Sequence, residues 1–585
     1  VIARTLLAPG LGLLGLASLA TGCAGTRTRG WQDVTNQLSR LGTTARFDWF
    51  SYEGHDPVYQ GLQPAADEYL NPILAGFYPD PSVVRVGENY YLVTSSFAYF
   101  PGVPIFQSAD LVHWNQLGHV LDRPSQLELA DVDISEGIFA PTIRFHQGTY
   151  YVITTHVARE RPRNFIVTAS DPAGPWSDPT WLPEVDGIDP SLFFDDDECA
   201  YVVFNSTPPE PARYEGHRAL WIQQYDWNAK RMVGRRELLI NGGVDIAKRP
   251  IWIEAPHVLK VDSHYYLIAA EGGTAHEHSE VVFRSDRVLG PYLPFAGNPI
   301  LTQRHLDPRR PHPVTSTGHA DFVQTPNGDW WAVFLGARPY GDDLYNTGRE
   351  TFLMPVHWEL GWPMITRGNQ TVPYLHKAPS AHAPTRLAMP TSGNFEWRDD
   401  FDENSLASHW NFIRTPRTVW HDLSSKPGWL TLRARPVDLN KRGQPSFMGR
   451  RQQHAYASVS TAMAYQPVRA GDKAGLVAFQ NDEFYYFLGI GSSGARAVIE
   501  VERHSKSARG TESSVMASAP LARLPHSVLF LKIEARGALY DFSYAYAPGL
   551  WQPLVRGADG TLLSTKVAKG FVGTYFGLFA YSDAP

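Results

Sequence analysis

The sequence predicts an all-β protein, a five-bladed β-propeller followed by a β-sandwich, on three observations. First, a short phrase recurs five times: a polar or acidic residue, often followed by proline, then an apolar run, then an aromatic pair. It reads Asp80-Pro-Ser-Val-Val84 with Tyr90-Tyr91, Ala140-Pro-Thr-Ile-Arg144 with Tyr150-Tyr151, Asp189-Pro-Ser-Leu-Phe193 with Tyr201, Ala255-Pro-His-Val-Leu259 with Tyr265-Tyr266, and His319-Ala-Asp-Phe-Val323 with Trp330-Trp331. The starts lie about fifty to sixty-five residues apart, a spacing of radial β-repeats rather than solenoids. Second, from 71 to 375 short β-rich segments alternate with Gly, Pro, Asn and Asp, without a long amphipathic helix. Third, beyond a Pro/Ala/Ser-rich stretch, alternating runs such as Ala474-Gly-Leu-Val-Ala-Phe479 and Phe484-Tyr-Tyr-Phe-Leu488 read as the strands of a sandwich.

Taken in order, residues 1–22 carry Arg4, an apolar run from Leu6 to Ala20, and small residues directly before Cys23. This pattern is a secretory signal of lipoprotein type, too short and wrongly flanked for a membrane span. The expectation is export to the bacterial periplasm or outer membrane with a lipid anchor at Cys23; plain secretion and an uncleaved segment are the alternatives. Residues 23–70 read as a linker and an N-terminal segment packed on the main domain. The propeller is expected over 71–375, a linker over 376–395, and the sandwich over 396–585. Within the repeats, Ser108-Ala-Asp110 leading to Trp114, Ser170-Asp171 leading to Trp176, and Ser285-Asp286 leading to Tyr292 read as the outer turn of a blade. Cys199 falls in a predicted strand and reads as a small hydrophobe.

Composition narrows the function. Among 585 residues only 19% are charged and the net charge is −7, so no broad basic surface points to nucleic acid. The 17 Trp, 27 Tyr and 29 Phe suit both strand-rich architecture and the flat surfaces that sugars stack on.

If each phrase opens a blade, its leading residue sits near the central axis. The leading slots then hold Asp80, Asp189, His319 and, one place before Ala255, Glu254. Hydrolysis of a glycosidic bond needs a proton for the leaving oxygen and an activated water, which two carboxyl groups with divergent pKa values supply. Asp80 and Glu254 would face each other across the channel at the wide separation of inverting enzymes, roughly 6.5–9.5 Å. Asp189, between them, would keep Glu254 protonated by like-charge repulsion. The plainer alternative is that Asp-Pro and Glu-Ala-Pro are strand-start turn residues. Glu271-Gly-Gly-Thr-Ala-His-Glu-His278 can be read as metal ligands, but it lacks the helical spacing of zinc proteases. Arg349 reads either as a forked donor to sugar hydroxyls or to Asp80, or as a surface partner of Glu350. Trp330-Trp331 reads as core and His146 as a structural histidine.

Several segments carry a resemblance in order over about 300 residues, a span that fits one domain. They are Asn71-Pro-Ile-Leu-Ala-Gly-Phe-Tyr-Pro-Asp80, Ser96-Phe-Ala-Tyr-Phe-Pro-Gly102, Asp189-Pro-Ser191, Glu254-Ala-Pro-His257, Glu271-Gly-Gly-Thr274 and Gly348-Arg-Glu-Thr351. Together they resemble glycoside hydrolase family 43, in its β-xylosidase and α-L-arabinofuranosidase group. Asp399-Asp-Phe-Asp402, Trp410-Asn-Phe-Ile-Arg414 and Met448-Gly-Arg-Arg-Gln-Gln-His454 resemble that group's concanavalin-like jelly-roll sandwich. The resemblance implies inverting hydrolysis with Asp80 as base, Glu254 as acid and Asp189 as the residue tuning the acid. It places Phe97, Phe139 and Arg349 against the terminal sugar. His319 falls at the axis, where some relatives hold calcium through water; no cofactor is otherwise required. The sandwich is expected to help close the pocket, favouring exo attack. Phe139 stands where many xylosidases of the family carry tryptophan, which tilts the expectation toward arabinofuranosides. The substrate expected is an oligosaccharide from xylan, arabinoxylan or xyloglucan. The rival from another class is a non-catalytic surface glycan-binding lipoprotein, and a third reading is a lyase or metal hydrolase using His276 and His278.

Overall fold

The computed structural model describes residues 44–583 except 160, 380–386, 388, 494–495, 509 and 523–527. The signal segment and Cys23 therefore lie outside the described residues, as does part of the 376–395 linker. Among those described, the structure is nearly all β. Five antiparallel blades follow one another in chain order, each beginning at one of the five repeats; four have four strands, and the fourth adds a short fifth, Leu301–Thr302. Their innermost strands are Ser82–Val86, Gly137–His146, Ile188–Phe194, Glu254–Val261 and Thr315–Gln324. The Ser-Asp turns connect the third and fourth strands of blades 1, 2 and 4.

The repeated phrase has a backbone cause. Asp80, Ala140, Asp189, Ala255 and His319 all adopt positive φ, between 35° and 56°. Strand pairing slips around this residue in blades 2 to 5. Each of those inner strands thus opens on a bulge, which bends it and re-aims its side chains. Conformations of this kind cost about 1–3 kcal/mol each for a non-glycine residue and cluster at functional sites. Below the bulges Asp321 ties the blades together. It accepts from Ser82 Oγ at 2.6 Å and Val83 N at 3.1 Å in blade 1, and from both Arg144 Nη atoms in blade 2 at 2.8 and 3.2 Å. The ring closes where Asn71 bonds both ways with the Leu353 backbone and Glu68–Leu70 pairs with Leu375–Lys377.

The C-terminal region is two packed eight-stranded antiparallel sheets. It is not built from C-terminal residues alone. The sequence reading gives 23–70 to a linker and a packed segment; instead Thr44–Gly54 is an inner strand of one sandwich sheet. It pairs with Phe395–Asp399, Leu430–Arg433 and Tyr456–Ala464. Ala45, Phe47, Phe50 and Tyr52 are fully buried on it, and burial of this sort drives the strand inward. Tyr99–Phe100, from blade 1, adds an edge to the other sheet by pairing with Asn411–Ile413. Tyr99 also stacks on Tyr575 with centroids 3.9 Å apart.

A buried ion group locks the same junction. Arg338 of blade 5 donates to Asp56 at 2.6 Å, to both Glu350 oxygens at 2.6 and 2.9 Å, and to the Gln453 carbonyl at 3.0 Å. Arg338→Ala would leave two buried carboxylates uncompensated, so a loss of about 3–5 kcal/mol is expected. Chemical denaturation of the variant against wild type checks it.

Candidate active site

The bulges deliver side chains from different blades into one cavity of about 200 Å³, whose lining includes Asp80, Phe97, Phe139, Asp189, Glu254, His319 and Arg349. That volume lies below the roughly 300–1,000 Å³ of drug-sized pockets and suits a single sugar unit. Two backbone positions feed it: the bulge residue itself (Asp80, Asp189, His319) and the residue before it (Phe139, Ile188, Glu254). The slot equivalent to Asp80 in blade 4 is Ala255, so Glu254 enters from the neighbouring position.

The three carboxyl groups have different surroundings. Asp80 accepts from Ser95 Oγ at 2.6 Å and Arg349 Nη1 at 3.0 Å, and His319 Nδ1 lies 3.6 Å away. Burial pushes its carboxyl up, but Arg349, His319 and Ser95 together outweigh burial and hold it below the usual carboxylate range. His319 is itself pushed down to about 4, chiefly by burial, so it acts on Asp80 as a neutral dipole and Arg349 supplies the charge. Arg349 is thus the partner of Asp80, while Glu350 belongs to Arg338.

Among the described residues Asp189 accepts one weak bond, from Ala255 N at 3.2 Å, and it is pushed up to about 7 by burial and then by the Asp80 charge. Glu254 is pushed well above its ordinary value, first by burial, then by Asp189 and Asp80. Desolvation therefore exceeds the like-charge repulsion that the sequence reading put first. Asp189 and Glu254 interact strongly, and of the pair Glu254 is the one that keeps its proton at neutral pH.

Facing these groups is an aromatic wall. Phe97 and Phe139 lie 4.8 Å apart, and Phe571, from the sandwich, lies 6.0 Å from each. Phe571 N bonds to Ser135 Oγ at 3.0 Å. Gly348, next to Arg349, has φ 77°, and a Cβ there would meet Gly573 Cα at 2.9 Å, so glycine is required for the two backbones to pass. An apolar wall excludes water and strengthens the electrostatics opposite it.

Sequence reasoning brought the seven named residues to this cavity. It missed Phe571, Trp252, Arg218, Asn205, Ile188 and Thr274, none of which lies in the opening phrase of a repeat except Ile188 at its edge. The metal-ligand reading of 271–278 meets other bonding. Glu271 accepts from Val244 N at 2.9 Å, His276 bonds the Arg304 carbonyl at 2.9 Å, and His278 bonds the Ser316 carbonyl at 3.0 Å. Directly ligated calcium does not fit His319. That ion takes six to eight oxygen ligands, the Asp80 carboxylate is committed to Arg349 and Ser95, and no group of three or more His, Cys, Asp or Glu able to hold a metal occurs among the described residues.

An acid that stays protonated and a carboxylate that stays ionised, both opening on one sugar-sized cavity, define a glycosidase. Comparison with known proteins makes the class particular. Residues 69–363 match the model for glycosyl hydrolases family 43, and 398–585 match the β-xylosidase C-terminal concanavalin A-like domain. The chain belongs to glycoside hydrolase family 43. It is 42% identical over 417 residues to a xylosidase/arabinosidase of Butyrivibrio fibrisolvens, covering 71% of this chain and 78% of that protein. It is 34% identical over 520 residues to a non-reducing end alpha-L-arabinofuranosidase of Bacteroides ovatus, covering 88% and 92%. The crystal structure of a GH43_12 retrieved from capybara gut metagenome superposes with a TM-score of 0.84 at 37% identity, covering 92% of this chain and all of that one.

Proposed function

We propose that the enzyme trims single pentose units from the non-reducing ends of plant cell-wall oligosaccharides by inverting hydrolysis. α-L-arabinofuranosides lead and β-D-xylosides follow. The observation that carries this reading is the split protonation of Asp80 and Glu254 in one sugar-sized cavity. Water beside Asp80 gives up a proton to the carboxylate and attacks the anomeric carbon. Glu254 protonates the glycosidic oxygen as the bond breaks, and Arg349 holds Asp80 and the sugar in register. Asp189 keeps the proton on Glu254. The smaller ring of Phe139 and the names of the relatives support both pentosides as substrates. Side-by-side kcat/KM on aryl α-L-arabinofuranoside and aryl β-D-xyloside tests the substrate, and proton NMR of the first-formed sugar tests inversion. Release of neither pentose would sink the reading.

Asp189→Asn gives a sharper check. Removing its charge stabilises the Glu254 carboxylate and lowers the pKa of the acid, while Asp80 still needs to be ionised. The alkaline limb of kcat/KM against pH is therefore expected to move to lower pH with the acid limb nearly fixed. An unmoved alkaline limb would contradict the tuning role.

Two further proposals rest on fewer observations. Calcium is carried only as a water-mediated ion beside His319, tested by dialysis against chelator and restoration with calcium. Export with lipidation at Cys23 rests on the sequence of residues 1–23, and mass analysis of the mature N-terminus from native cells tests it.

A further inference from the structure

We propose that Asn346, which does not line the cavity, is a positioning residue through which the sandwich holds Arg349 against Asp80. This rests on the reading of Asp80 as the base. Arg349 ends the segment 338–349, which joins two strands of blade 5, Trp330–Ala337 and Glu350–Glu359. Its side chain is lightly held. Among the described residues Nη1 bonds Asp80 and the buried Nε has no partner. The Phe97 and Phe571 ring centroids lie 6.0 and 5.7 Å from its Cζ. An arginine side chain has much rotamer freedom to lose, so one bond fixes it only where the backbone delivers it within reach.

The sandwich fixes that backbone. Tyr345 N donates to Ser564 Oγ at 3.0 Å, Thr565 N to the Tyr345 carbonyl at 3.3 Å, and Thr574 N to the Asn346 carbonyl at 2.8 Å. Gly573 passes so close that an added Cβ would meet the Thr347 carbonyl oxygen at 2.7 Å and Gly348 N at 2.8 Å. Asn346 sits among these contacts, three residues before Arg349 and 2% exposed. Its Nδ2 donates to the Tyr540 hydroxyl and to the Gly560 carbonyl, both at 3.0 Å, and its Oδ1 accepts from the Tyr340 hydroxyl at 3.0 Å. Tyr540 is anchored in turn, donating to Gln452 Oε1 at 2.7 Å. The Gly560 carbonyl can only accept, so the amide end of Asn346 has to face the sandwich. A buried polar group with every bond met specifies one arrangement, and losing one of those bonds releases it.

The consequence for the chemistry is electrostatic. The titratable and charged groups around Asp80 are Arg349, His319, His278, Asp189 and Glu254. Burial pushes both histidines down to about 4, so they are neutral at working pH. Arg349 is therefore the positive charge that keeps Asp80 ionised, and retreat of its guanidinium raises the pKa of the base. Catalysis needs Asp80 ionised, so a raised pKa moves the acid limb of kcat/KM to higher pH. Arg349 also lowers the pKa of Glu254, so the alkaline limb moves the same way.

The test is a double-mutant cycle on an aryl pentoside with Asn346→Ala, Arg349→Gln and the pair. Asn346→Ala is expected to lower kcat/KM about 10–100-fold, the scale of a misplacement of about 1 Å at a reacting group. It should also move the acid limb to higher pH, the direction in which Arg349→Gln takes it by about one unit or more. With Arg349 already replaced, Asn346→Ala should cost about threefold or less and leave the acid limb where Arg349→Gln put it. If Asn346→Ala unfolds below the assay temperature, Tyr540→Phe, which removes one sandwich-side bond and keeps the ring, decides by the same cycle. Full activity in Asn346→Ala, losses that multiply in the double variant, or a fall in kcat/KM with the acid limb in place would overturn the positioning role. An acid limb that stays put in Arg349→Gln would instead overturn Asp80 as the base.

Discussion

Asp80→Ala is expected to lower kcat by about 10³–10⁴-fold on every substrate, whatever its leaving group, because no other group can take the proton of the attacking water. The candidates are few. Glu254 holds its proton and Asp189 is pushed up and bound to it electrostatically, which leaves Asp80 as the one of the three carboxyl groups held below its ordinary range. The variant also leaves the buried Arg349 guanidinium without its carboxylate. Asp80→Asn keeps the side-chain volume and an oxygen for Ser95 but also removes the charge facing Arg349 and cannot take a proton, so it excludes a cavity as the cause while the melting temperature reports the cost of the unpaired guanidinium. Comparable loss in both variants, with melting temperatures near wild type, assigns the deficit to base catalysis. Retention of a tenth or more of wild-type turnover in Asp80→Asn would remove Asp80 from that role.

Glu254→Ala has an effect as large but selective. The acid matters in proportion to how badly the leaving oxygen needs a proton. On an oligosaccharide kcat/KM should fall about 10³-fold or more, while on an aryl glycoside with an acidic phenol the loss should be about tenfold or less. The alkaline limb of the pH profile should also flatten, since the group responsible for it is gone. A uniform loss across leaving groups would mean that Glu254 positions the sugar without protonating it.

How much of this was written in the sequence depends on whether a residue belongs to a repeat. The five phrases were legible because each blade begins with the same backbone event, and Asp80, Asp189 and His319 were found by their place in it. Glu254 was found one position out of step. The reason became visible only in the backbone: the bulge presents two successive residues to the hub, so blade 4 can use the position before Ala255. The shifted protonation of Glu254 was expected from charge repulsion, but the larger cause is burial, which depends on packing that no local motif encodes. Phe571 and Trp252 stand in connecting segments that do not recur, and nothing in their neighbours marks them as pocket residues. Thr44–Gly54 was legible in principle, since Phe47, Phe50 and Tyr52 sit among polar residues in a strand-like run. Its bulge between Phe47 and Trp49 breaks the alternation that would have announced it.

That strand has a consequence for how the protein comes into being. The ribosome makes Thr44–Gly54 before its hydrogen-bonding partners at 395–399, 430–433 and 456–464, which emerge some 350 residues later, an interval of the order of tens of seconds at about 5–20 residues per second. Until then its aromatic side chains have no permanent home, while the toroid between them is already able to assemble. The nascent chain therefore carries an unpaired adhesive strand while the whole ring is being made, and completion of the sandwich waits on segments beyond it. Cutting the gene between the two regions would yield not two independent parts but one ring missing a wall and one sandwich missing an inner strand.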